Sequence, residues 1–117
     1  MTAEADPNGK SQHEAGAKLD AGKNRLGLVL HGFSLALREV GKVGTYGAAK
    51  YTPNGWVEVP DGFDRYTDAM YRHLLAEYDN PGDQDTGLLH AAHAAWNALA
   101  RLELVLREYA NKTDYQD

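Results

Sequence analysis

The tripeptide Asn80-Pro81-Gly82 cuts the second half of this chain into two helical stretches and forces the backbone to reverse between them. Before it, Asp64 to Tyr78 carries Tyr66, Met70 and Leu74 at helical spacing. His73 and Glu77 fall on neighbouring inward stripes, and Asp61 or Asp64 stands where a helix is capped. After it, a helix is expected from about Gly87 to Tyr109, with Thr86 as its cap. The apolar side of that helix is expected to use Leu89, Ala92, Trp96, Leu99, Leu102 and Leu106. A pair of helices joined by a short acidic turn is the frame on which everything else must be placed.

Upstream, Phe33 to about Val43 predicts a first helix with Phe33, Leu35, Leu37 and Val40 on one side. Gly41, Gly44 and Gly47 are expected to interrupt it, because glycine costs a helix more backbone entropy than any other residue but proline disrupts. Residues Tyr46 to Tyr51 then predict a separate helical turn, and Thr52-Pro53-Asn54-Gly55 a tight turn. Trp56, Val57 and Val59 read as an extended connector. Met1 to Ala21 has almost no large apolar residue and is expected to be a flexible N-terminal arm. Order is expected from near Lys23, where Leu26, Leu28, Val29 and Leu30 form the first apolar cluster. The division is therefore an arm over 1–21, a helical domain over 22–110 and a flexible tail over 111–117.

The expected class is all-α, a small domain of three to four helices. At 117 residues a single core is adequate but not generous, so completion by a second copy of the chain is expected. Net charge decides against one class of partner. At −5 the chain lacks the basic surface that duplex nucleic acid requires. No cysteine is present, which excludes a disulfide framework, a thiolate metal site and a cysteine nucleophile. No apolar run approaches the length of a membrane span, and the N-terminus lacks the apolar centre of a secretory signal, so a cytoplasmic protein is expected.

The polar residues that interrupt the two long stretches carry the chemistry. Arg72, His73 and Glu77 lie on the first, and His90, His93 and Asn97 on the second. Residues three and four apart share a helix face, so an antiparallel pairing would bring both sets together. His90 and His93 fall near a helix start, where the dipole and free amides favour an anion such as phosphate. Asp79, Asp83 and Asp85 with Glu77 offer oxygens for a magnesium or manganese ion, although the turn lacks the glycine and terminal glutamate of a calcium loop. The same histidines and asparagine would equally serve as a satisfied buried network, and an acidic turn as solvated surface.

A second group is basic and aromatic. Arg25, Lys42, Lys50 and Arg72 are suited to phosphate, while Tyr46, Tyr51, Trp56 and Tyr66 are suited to stacking on a base. Filling a small helical core is the competing role for each aromatic residue. No glycine-lysine phosphate loop, dinucleotide fingerprint or serine-hydrolase elbow is present.

Several ordered landmarks resemble a known family. They are Lys18-Leu19-Asp20-Ala21-Gly22-Lys23-Asn24-Arg25-Leu26, Tyr46-Gly47-Ala48-Ala49-Lys50-Tyr51 and Asn54-Gly55-Trp56, followed by Arg72-His73-Leu74. Asp83, Thr86-Gly87, His90, His93-Ala94 and Asn97 complete the series. In these the chain resembles the dATP/dGTP diphosphohydrolase N-terminal family of phages and bacteria, which includes MazG-like proteins. The resemblance implies a MazG-like all-α fold assembled as a dimer or tetramer. It also implies hydrolysis of a purine deoxynucleoside triphosphate, dGTP or dATP, to monophosphate and pyrophosphate with Mg2+ or Mn2+, in the cytoplasm of a bacterial host if the chain is phage-encoded.

By the same resemblance, Glu77, Asp83 and Asp85 would serve the metal, and His73, His90 and His93 would orient water, ligate metal or contact phosphate. Lys23, Arg25, Lys50 and Arg72 would bind the triphosphate, with Tyr46, Trp56 and Asn97 completing the substrate pocket. The chain departs from the family pattern at Asp79-Asn80, where Gly-Glu is usual, and lacks the glutamate clusters of MazG-type enzymes. Those departures motivate an alternative, a non-catalytic phage protein that sequesters a signalling nucleotide. A helical oligomer whose polar network only fixes register is a third reading.

Overall fold

The computed structural model describes residues 3–112; of the tail expected over 111–117, Asn111 ends the last helix and the part beyond Lys112 lies outside the described residues. The described residues contain four α-helices and no β-strand longer than a single bridge: α1 (Gly27–Gly32), α2 (Ser34–Lys50), α3 (Gly62–Ala76) and α4 (His90–Asn111). A single 3₁₀ turn, Gly55–Glu58, joins α2 to α3. The class is all-α, as the periodicity predicts.

The chain divides into two compact units, residues 1–33 and 34–117. The described part of the first is built from turns that lead into α1. One oxygen of Asp6 accepts the Asn8 amide at 2.6 Å and the other accepts the Lys18 amide at 2.7 Å. These two bonds hold the Asp6 carboxyl below the usual range. The apolar cluster expected at Leu26, Leu28, Val29 and Leu30 is instead exposed on and beside α1. Six residues make too short a helix to bury a face of its own.

In the second unit, α3 and α4 form the dominant pair. Their register is antiparallel: His73 meets His93, Thr67 meets Arg101 and Gly62 meets Leu104, so descending α3 follows ascending α4. The face of α4 that is buried consists of Ala92, His93, Ala94, Asn97 and Ala100. Small residues there permit a close approach of backbones. The expected leucine side is only partly used, since Leu89, Leu99 and Leu102 remain exposed.

Two boundaries differ from expectation for identifiable reasons. Helix α2 runs without a break through Gly41, Gly44 and Gly47, with Val43 buried. The helix tolerates the glycine penalty, and Trp96 lies against it at Gly44, where an added Cβ would stand 3.6 Å from Nε1 in ordinary contact. Helix α4 begins at His90, three residues later than expected, because Thr86 is engaged elsewhere and Leu89 takes the extended N-cap position. Trp56 and Val57 are helical in the 3₁₀ turn and not extended. Asp61 does occupy the N-cap of α3, but in the left-handed region (φ 56°) and without a side-chain cap bond.

Three rings cement α2, the 3₁₀ turn, α3 and α4. Trp56, Tyr66 and Trp96 meet edge to face, with centroids 5.5 to 6.1 Å apart. The Tyr66 hydroxyl donates to the Trp56 carbonyl at 2.7 Å, and burial raises the Tyr66 pKa. Beside the indoles, Val40, Gly44, Leu99, Leu102 and Leu106 line an apolar groove of about 580 Å³. No described helix is long and apolar enough to cross a membrane.

Candidate functional site

Where α3 ends and α4 begins, the turn between them folds back on itself. The Asp83 amide donates to the Leu88 carbonyl at 2.8 Å, the Gly87 amide to the Asp83 carbonyl at 2.7 Å and the His90 amide to the Pro81 carbonyl at 2.9 Å. A bridge pairs Gly82 with Leu89. Gly87 supplies the left-handed residue (φ 74°) that closes the turn. Asp83 Oδ1 accepts the amides of Asp85 at 2.8 Å and Thr86 at 3.4 Å. An aspartate turn of this kind converts an acidic, glycine-containing stretch into a fixed platform.

Onto that platform the two helices deliver their histidines. Nδ1 of His73, near the end of α3, lies 2.9 Å from Nδ1 of His90 on the first residue of α4. Asp83 Oδ2 lies 3.8 Å from His73 Nδ1. His93 stacks on His73 with ring centroids 4.5 Å apart and planes 8° from parallel. The far nitrogen of His93, Nε2, is 2.8 Å from the Thr86 hydroxyl. Asn97 donates its side-chain amide to the His93 carbonyl at 2.8 Å, so it is occupied with the α4 backbone.

Electrostatics follow from this half-buried setting. Burial pushes the His73 pKa below its ordinary value, and the neighbouring His93 and His90 push it the same way, against the pull of Asp83. Burial likewise lowers His93, partly opposed by Asp83. For Asp83, burial raises the pKa, but the Asp85 and Thr86 amides and the two imidazoles outweigh it, and the net shift is downward. The shifts therefore favour an ionised Asp83 beside uncharged His73 and His93.

A donor atom from each of His73, Asp83 and His90 lies within 4.8 Å of the other two, the spacing at which three side chains can share one metal ion. Two nitrogens and one oxygen are chemically suited to a divalent cation. Of the other residues expected at the site, Glu77 is half-buried at the C-cap of α3 and is not among the three whose donors converge. Asp85 is exposed on the turn, and Arg72 is exposed on α3. Lys50 ends α2, with its ammonium 5.9 Å from the centre of the Tyr46 ring and 5.3 Å from that of Tyr51. Trp56 is packed within the three-ring cluster. Lys23, which pairs with Glu4 at 3.4 Å, and Arg25 belong to the first unit.

Thr86 is the functional side chain that helix reading misassigns. Its hydroxyl receives the Leu88 amide at 3.2 Å and engages His93, which removes it from the capping role. The hint in the sequence is its position, seven residues before His93 and on the near side of a glycine.

The model of the family described as dATP/dGTP diphosphohydrolase, N-terminal, matches residues 13–114 of this chain. A protein of Salmonella phage PMBT28 named dATP/dGTP diphosphohydrolase is 41% identical over 81 residues, covering 68% of this chain and 26% of that protein. The chain thus spans about a quarter of the length of that relative. No solved structure matches it significantly. With the landmark residues, the helical hairpin and the family model in agreement over most of its length, the chain belongs to the dATP/dGTP diphosphohydrolase N-terminal family.

Proposed function

We propose that the protein hydrolyses a purine deoxynucleoside triphosphate, dATP or dGTP, to the monophosphate and pyrophosphate with a divalent cation, Mg2+ or Mn2+. The observation that carries this reading is the convergence of His73, Asp83 and His90 on one point in a chain of this family. In such a reaction water adds to the α-phosphorus, and the bond from that phosphorus to the oxygen bridging to the β-phosphate breaks. The bound cation supplies charge neutralisation of the phosphates. His73, Asp83 and His90 would hold it, with Glu77 and Asp85 as further carboxylates of the same end of the hairpin. His93, fixed by Thr86, keeps the His73 ring in plane.

Lys50 and Arg72 are the cations assigned to the triphosphate, and Tyr46 is the ring assigned to the base. Trp56 and Asn97 are assigned to the scaffold, because both are already engaged by packing or the helix backbone. A homo-oligomer, dimer or tetramer, accompanies this reading. No large side chain among the described residues is fully buried, and Leu35 and Leu75 are 74% and 70% exposed. Sedimentation of the full chain as a monomer at micromolar concentration removes that part.

The decisive assay incubates the full chain with each dNTP and Mn2+, follows pyrophosphate release, and then recovers small molecules from the denatured protein. Pyrophosphate from dATP or dGTP is expected, reduced more than about 100-fold in Asp83→Asn. Recovery of an intact nucleotide with no pyrophosphate from any dNTP would replace the hydrolase with a sequestering protein.

A further inference from the structure

We propose that His73, Asp83 and His90 form a single site for a nitrogen-accepting transition ion, of the manganese to zinc series, and that this site discriminates against magnesium. The inference rests on the hydrolase reading above and deepens it by naming the class of cation.

The first argument is the distance between ring nitrogens. His73 Nδ1 and His90 Nδ1 are 2.9 Å apart. Two imidazole nitrogens bound at about 2.1 Å to one ion, at right angles, would stand about 3.0 Å apart. A hydrogen bond between the rings gives the same distance, but it uses one proton and two rings and leaves the carboxylate without a role. Asp83 Oδ2 is 3.8 Å from His73 Nδ1, too long for a hydrogen bond.

Charge gives the second argument. Asp83 is 15% exposed, its Oδ1 already takes two backbone amides, and it makes no ion pair with lysine or arginine among the described residues. Its Oδ2, by contrast, takes no hydrogen bond among the described residues and is left open to a cation. A divalent ion between Oδ2 and the two nitrogens gives that oxygen a partner.

Preorganisation is the third. The Asp83 and His90 backbones are tied by the turn's amide bonds, and the His73 ring is held flat against His93, which Thr86 holds in turn. The three donors are held close to one another before any ion arrives. The donor set then decides which ion. Magnesium prefers a shell of oxygen and retains its waters, whereas imidazole favours manganese, cobalt, nickel and zinc in a rising or late-series order. Two histidines and one carboxylate also leave coordination positions open, which phosphate oxygens can take.

Cobalt(II) added alone to chelator-treated full chain is the test, followed by its visible d–d absorption. One equivalent is expected to bind, and a large excess of Mg2+ is expected to leave the spectrum unchanged. His73→Ala and His90→Ala should each weaken binding by about 100-fold or more, and Asp83→Asn, which keeps the acceptor for the turn amides, should weaken it as well. His31→Ala, at an exposed position on α1, should bind as the parent does. Paramagnetic broadening of the His73 and His90 ring protons by Mn2+ in the unaltered chain provides a readout independent of whether a variant folds.

Displacement of cobalt by Mg2+, retention of cobalt by both histidine variants, or broadening centred on other residues would each overturn the proposal. The two readings fail separately. Pyrophosphate release in Mg2+ without cobalt binding ends this inference and spares the hydrolase. Cobalt binding without pyrophosphate release does the reverse.

Discussion

His73 and His93 stack almost parallel, ring centroids 4.5 Å apart, although they belong to different helices. The stack joins α3 to α4 through two uncharged rings, and Thr86 anchors its outer member from the intervening turn. Replacing His93 by alanine removes the ring from a buried position and releases both contacts. The expected loss is about 2–3 kcal/mol of stability, in the range of buried truncations that also break a hydrogen bond. Urea denaturation measures it, and a loss below about 0.5 kcal/mol would show that the stack is not a structural link.

Acid should loosen the same region in metal-free protein. His73 and His93 titrate lower in the folded chain than in the unfolded one, so the unfolded state binds more protons as pH falls. Stability is therefore expected to begin falling below about pH 6.5, the unperturbed imidazole value, and to level only beneath the depressed folded values. Asp83, also lowered, adds a further decline in the carboxylate range below about pH 4. Thermal melts between neutral and mildly acidic pH test the sign; a melting temperature that rises on acidification contradicts it.

The aromatic trio predicts two graded effects. Tyr66→Phe keeps the ring edges and deletes only the bond to the Trp56 carbonyl, at a cost of about 1 kcal/mol. Trp96→Ala removes a ring that meets two others and packs against Gly44, and should cost about 3 kcal/mol or more. Chemical denaturation of both variants gives the comparison, and the order of the two losses is the informative result.

Gly87→Ala tests the turn. No atom lies near the added Cβ, so the penalty comes from the left-handed backbone alone, about 1–2 kcal/mol. Because the Gly87 amide closes the turn on the Asp83 carbonyl, faster hydrogen exchange is expected at the Asp83, Gly87 and His90 amides. Exchange unchanged from the parent would mean that the turn is held by other bonds.

The helical hairpin was legible because Asn80-Pro81-Gly82 cannot continue a helix and the apolar spacing on both sides is strong. So was the meeting of His73, His90 and His93, since antiparallel helices joined by a short turn place the end of one beside the start of the next. The glycines of α2 were less readable. Their local propensity argues for a break, yet α2 runs through all three, with Trp96, from a distant part of the sequence, packed against Gly44. Likewise the buried side of α4 could not be ranked by hydrophobicity, because close approach favoured alanines over leucines. Thr86 shows a further limit: a threonine before a helix satisfies a capping pattern equally well when its hydroxyl is turned to a side chain.

The residues from His73 to Asn97 form one unbroken segment, and every member of the histidine cluster lies inside it. Closing so short a loop is fast and entropically cheap, so the cluster should assemble in step with the hairpin instead of waiting for distant parts of the chain. Such a cassette can be transplanted whole into another antiparallel helix pair, or lost in a single deletion.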